Sequence, residues 1–109
     1  MPTTYKVLGQ SNPSATTATT LYTVPASTST VVSTITVANL TGSAATFRIS
    51  VRPAGAVQTN AMYIAYDVSL PANATDTLTL GLTLATTDVI TVYSSATAVA
   101  FNAYGSEIS

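Results

Sequence analysis

The sequence predicts an all-β fold, a single compact antiparallel β-sandwich of about eight short strands, jelly-roll-like or Ig-like, over residues 1–109. Three observations carry that expectation. Apolar residues recur at period two along most of the chain, while the helical period fails almost everywhere. Thr and Ser supply about a third of the residues, and the β-branched threonine suits a pleated strand. Turn residues punctuate the apolar runs at short, regular intervals, as in a sandwich or small barrel. A length of 109 residues accommodates one domain and not two.

The strands follow in order. Tyr5 to Leu8 and Thr20 to Val24 are the weaker candidates. Val31, Ile35 and Val37 alternate with threonines. Phe47, Ile49 and Val51 alternate with Arg48, Ser50 and Arg52, giving one apolar face and one that carries two of the three cations. Met62, Ile64, Tyr66 and Val68 form the apolar face of the next run, against Tyr63, Ala65, Asp67 and Ser69. Leu78, Leu80, Leu82 and Leu84 alternate with Thr77, Thr79, Gly81 and Thr83, and the glycine and threonines exclude a helix there. Ile90 with Val92, and Val99 with Phe101, complete the set.

Turn chemistry separates these runs at Leu40–Ser43, Pro53–Gly55 and Pro71–Asn73. Residues 86–88 and 94–97 are short enough for hairpin connections. The stretch Ser11 to Thr20 is a low-complexity run of Ser, Thr and Ala around Asn12-Pro13, which reads as a linker, a flexible loop or an arm that orders on a neighbour.

Charge is the unusual feature. Asp, Glu, Lys and Arg make up 6% of the chain, against roughly a quarter in an ordinary soluble domain. With a net charge of -1, little repulsion holds copies apart. That suits a subunit packed against neighbours, although hydroxyl groups can also solvate a neutral monomer. Three cations do not support binding to nucleic acid. No run of about 18 apolar residues predicts a membrane span, and no basic-then-apolar leader opens the sequence. The absence of cysteine excludes disulfides and thiol catalysis and points to a reducing cytoplasm as the place of folding.

Catalytic chemistry finds little to work with. Histidine is absent, which removes the usual general base and metal ligand. No Gly-x-Ser-x-Gly elbow occurs, and a Ser-Lys dyad would depend on the single lysine, Lys6. The acids Asp67, Asp76, Asp88 and Glu107 show no glycosidase-like pairing. Asp76 and Asp88 follow turns, where capping of turn amides is the ordinary role; with Asn73 they lack the dense acidic loop of a calcium site. The expectation is a protein without an enzymatic activity, cofactor or metal.

What remains is contact chemistry. Arg48 and Arg52 share one strand face, about 13 Å apart by strand rise. They suit pairing with acids of a neighbouring subunit, or solvation, or a cross-strand pair with Asp67. Tyr22, Tyr63, Tyr93 and Tyr104 are the tyrosines expected to point outward as contact residues for proteins or sugars, or else to cover the ends of the core. Asn39-Leu40-Thr41 and Asn73-Ala74-Thr75 match the glycosylation sequon by chance.

The runs Leu21-Tyr22-Thr23-Val24-Pro25-Ala26, Val31-Val32 and Ile35-Thr36-Val37-Ala38-Asn39 resemble a recurrent pattern in small virion proteins of tailed bacteriophages. Ala44 to Ile49 and the tail Ala100 to Gly105 extend the similarity, which runs from about Tyr5 to Ser109 and is greatest to compact virion proteins of cyanophages and related marine phages. Tyr-Thr-Val-Pro-Ala modules occur in capsid, baseplate and fibre settings alike. The resemblance implies a β-sandwich made in the infected bacterium's cytoplasm and built into the virion. A capsid decoration or cement protein on the major capsid protein, as a dimer or trimer, is the leading expectation. A tail, baseplate or fibre-attachment part is the alternative, and a sugar- or receptor-binding module the third.

Overall fold

The computed structural model describes residues 2–109. Eight strands form in order: β1 (Thr3–Ser11), β2 (Thr19–Thr23), β3 (Ser29–Asn39), β4 (Ala45–Arg52), β5 (Tyr63–Leu70), β6 (Thr75–Leu84), β7 (Val89–Ser94) and β8 (Val99–Ile108). They make two four-stranded antiparallel sheets, β1-β8-β3-β6 and β2-β7-β4-β5. All described segments between β4 and β5 are loop or 3-10 turn, and that connection is the only one joining two strands of the same sheet. Every other connection crosses from one sheet to the other. This double Greek key is the jelly-roll order, and it decides between the two sandwiches the sequence left open.

That order corrects one expectation. The turns at 86–88 and 94–97 are not hairpins: each carries the chain between sheets, from β6 to β7 and from β7 to β8. Asp88 holds the first in place, since its Oδ1 accepts the Ala54 amide and its Oδ2 the Ala85 amide, both at 2.9 Å. Turn capping is therefore what this acid does. The Ser11–Thr20 stretch lends its ends to β1 and β2. Between them Pro13 is buried and the Thr16 amide donates to the Ser94 carbonyl at 2.8 Å.

The core lies between the sheets. Phe47 of β4 meets Phe101 of β8 edge to face, with centroids 6.2 Å apart, and Ile35, Val37, Ile49 and Val92 close around them without solvent exposure. The alternation read in β4 holds: Phe47 and Ile49 are buried and Arg48 faces outward. Two neighbouring alternations do not. In β5 an extra residue stands at Asp67, where φ is +48°, between the pairs Phe47–Val68 and Ile49–Ala65. That bulge reverses the strand, so Ile64 and Tyr66, expected inside, are exposed. In β6 the extra residue falls at Leu80–Gly81, with Gly81 at φ +62°, and Leu80 turns out to solvent.

Sheet β1-β8-β3-β6 carries a row of such bulges at one level: Leu8 in β1, Ser33 in β3 and Leu80–Gly81 in β6. Extra residues at one level bend all three strands together, which lets the sheet fold over its partner. Two glycines permit the close approach that results. A Cβ on Gly9 would collide with the Leu21 carbonyl of the facing sheet, and one on Gly105 with the Val31 carbonyl of the adjacent strand.

Candidate functional site

The two outer faces of the sandwich differ in chemistry. On sheet β1-β8-β3-β6 the outward positions follow from the register, since residues flanking a buried one alternate with it. Thr75, Thr77, Thr79 and Thr83 of β6 lie beside Ala38, Thr36, Thr34 and Val31 of β3. Asn102, Tyr104 and Ser106 of β8 follow, with Val7 and Tyr5 of β1 beyond them. Among the described residues, no charged side chain stands on this face. Lys6 and Glu107 belong to the same strands but take the opposite side, where they pair at 3.4 Å.

Apolar groups gather at one end of this face. Tyr5 is 83% exposed, Val7 47% and Tyr104 36%. Tyr5 and Tyr104, with Val31, Ser33 and Ser106, line an open hollow of about 460 Å³, and Lys6 stands at its rim on β1. Of the tyrosines expected outward, Tyr104 is the one found here.

Sheet β2-β7-β4-β5 is partly roofed. Ser50, Val89 and Thr91 face away from the core yet are buried; in the segment Pro53–Met62, Gln58 Oε1 accepts the Ser50 hydroxyl and Gly55 lies beside Val89. Arg52 lies at this end, half-buried, with its Nε enclosed and without a partner among the described residues; Thr91 Oγ1 is in the same state.

Beyond the roof an aromatic ridge crosses the strands. Arg48 lies directly opposite Tyr93 of β7, and its guanidinium carbon sits 4.3 Å from the ring centres of both Tyr93 and Tyr66. Each contact is a cation–π interaction of the guanidinium with a ring face. Asp67 grips the edge, accepting Arg48 Nε at 2.6 Å and Nη2 at 3.3 Å. The Asp67 hydrogen bond raises the Arg48 pKa further above its ordinary value, so the cation is permanent. Tyr63 completes the ridge, edge to face with Tyr66 at 4.8 Å and 81°. Of the three roles open to Arg48, the cross-strand pair with Asp67 is the one formed. The same bulge that puts Asp67 at positive φ delivers both Asp67 and Tyr66 to Arg48.

No protein-family model and no curated protein matches this sequence.

Tyr22 corrects another expectation. It is 7% exposed and reaches through the end of the sandwich, not outward. Its hydroxyl donates to Glu107 Oε2 at 2.5 Å and lies 2.8 Å from the Thr30 hydroxyl. A register slip between Thr20 and Tyr22 turns the side chain inward. Burial, and then the Glu107 hydrogen bond, push its pKa up from 10.0 to about 12. Ionisation is easier in the unfolded chain, so stability is full below pH 10 and falls as pH rises from there to about 12. The loss reaches about 2–3 kcal/mol at most. Urea unfolding at about pH 8 and about pH 11 checks this: Tyr22→Phe, which forfeits the hydrogen bonds but cannot ionise, loses less stability across that interval than the parent.

Asn39 is buried, and its Nδ2 donates to the carbonyls of Ser43, Leu70 and Pro71 while its Oδ1 accepts from Thr41. The Asn-Leu-Thr triplet is thus a loop clamp whose amide nitrogen is fully used. Among the described residues no three Asp or Glu groups converge as a metal cluster would require. Among the described residues no helix is long and apolar enough to cross a membrane.

Proposed function

We propose that this chain is a non-enzymatic structural protein of a tailed-phage virion. Specifically, it is a capsid decoration or cement protein that binds the outer shell through sheet β1-β8-β3-β6. The observation that supports this reading is the charge-free outer face of that sheet, with Tyr5, Val7 and Tyr104 exposed at one end.

Covering such a face strands no charge, whereas burying even one unpaired charge costs several kcal/mol. Depletion of charge in the centre and enrichment in tyrosine are the marks of a contact surface. The threonine and serine hydroxyls can exchange water for partner groups at little cost. Edge strand β6 runs ten residues with Asp76 as its one charge and no lysine or proline to deter pairing, which suits an edge that is covered in the assembly. Each bound copy then favours the assembled shell by mass action. The partners are the major capsid protein and further copies of this chain in a closed dimer or trimer.

The reading predicts a thermal effect. Particles prepared without this protein release their genome at a lower temperature than complete particles, and adding the purified chain restores the difference. Equal release temperatures with and without it, followed by dye access to DNA on heating, would count against cement action.

A further inference from the structure

We infer that the end of the aromatic ridge, on the sheet opposite the docking face, is a binding site for a neutral carbohydrate, built from Tyr63, Tyr66 and Asn60. These residues line an open hollow of about 350 Å³ at the outer edge of β5. The two rings stand nearly at right angles, at 81°, so they form a floor and a wall. Asn60, from the 3-10 turn Asn60–Met62, supplies the third side.

Three features favour a sugar. The first is rigidity. Arg48 packs against one face of Tyr66 while Asp67 holds the guanidinium, so the ring is fixed before any ligand arrives and little conformational entropy is lost on binding. The second is unspent polarity. The Tyr63 and Tyr66 hydroxyls and the Asn60 amide make no hydrogen bond to any other described side chain or backbone group, and together they offer donors and acceptors around aromatic surface. A pyranose presents the complement, an apolar C–H face ringed by hydroxyls. The third is charge. The fork of Arg48 is spent on Asp67, and the two charges cancel, so the hollow does not select an anion such as phosphate or a sugar acid. A protein anchor would ask for an apolar pocket, and phenols with an amide are a poor match for one.

The test is a titration of the isotope-labelled full chain, followed by amide NMR shifts. The probes are neutral hexoses, N-acetylhexosamines and their short oligomers, with inorganic phosphate as the charged control. The expected result is a saturable shift at Asn60, Tyr63 and Tyr66 with at least one neutral sugar and none with phosphate. Tyr66→Ala and Asn60→Ala each weaken that binding about tenfold or more, and Tyr104→Ala on the opposite face leaves it unchanged. Two variants guard against a folding failure in either. No saturable shift with any neutral sugar overturns the site, as does binding that survives both substitutions. Loss of particle attachment in Tyr66→Ala without any sugar response would make the ridge a protein contact instead.

Discussion

Gly105→Ala is expected to destabilise the protein by about 3 kcal/mol or more, enough to unfold a marginal domain. The added methyl would collide with the Val31 carbonyl and come within 3.0 Å of the Val32 Cα. Both obstacles are backbone of the neighbouring strand, which cannot rotate away as a side chain tip would. The chain must either spread β8 from β3 or shift register, and each loses ladder hydrogen bonds beside the bulge at Ser33. Gly42→Ala is the matched control: nothing lies within 4 Å of its added methyl, and its effect stays within about 0.5 kcal/mol. Denaturant unfolding of the two variants measures the contrast. Equal stability would mean that β8 and β3 do not approach as described.

The second large effect concerns docking. Thr36 sits at the centre of the charge-free face, between Asn102 of β8 and Thr77 of β6, with Ile35 and Val37 buried on either side of it. Thr36→Glu changes no core contact, so folding stability shifts little. Covering the new carboxylate against a shell costs several kcal/mol unless a partner cation happens to meet it. Binding to particles lacking the protein therefore falls by a hundredfold or more, on the order of 3 kcal/mol. Thr20→Glu, on the exposed outer side of β2 in the other sheet, leaves binding unchanged. Sedimentation of the variants with particles reads this directly, and equal loss from both substitutions would dissociate docking from the face assigned to it.

How legible the fold was depends on whether a strand carries a bulge. β4 pairs with β7 without interruption, and its alternation of Phe47, Arg48 and Ile49 translated straight into inside and outside. In β5 and β6 an added residue reverses that alternation. Gly81 was a usable signal, because a glycine within a threonine-rich strand suggests a bulge. Asp67 gave none: an aspartate in a strand interior looks like any outward residue until its φ is known. The plain alternation therefore places Tyr66 in the core, and only Arg48, Tyr63 and Tyr93 of the ridge stand out in the sequence as contact residues. Tyr22 failed for the same reason, since the slip beside it turns an outward position inward. Strand existence is a local property of side-chain alternation, whereas strand order is set by long-range pairing. That is why the sequence predicted a sandwich yet placed hairpins at two turns that cross between the sheets.

The charge-free face was beyond the sequence for a related reason. The low charge content was plain, but its distribution was not. All seven charged groups lie on the inner side of one sheet, on the other sheet or in the connecting turns, and only the register reveals that one whole face is left without any.

We propose that this protein is a stoichiometric part of a capsid shell. Its copy number in purified virions, measured by quantitative mass spectrometry against the major coat protein, tests that most directly. The expected ratio is one copy per coat subunit or a simple fraction of it. A few copies per hundred coat subunits would contradict the shell assignment and move the protein to the tail, and its absence from the particle would end the structural reading.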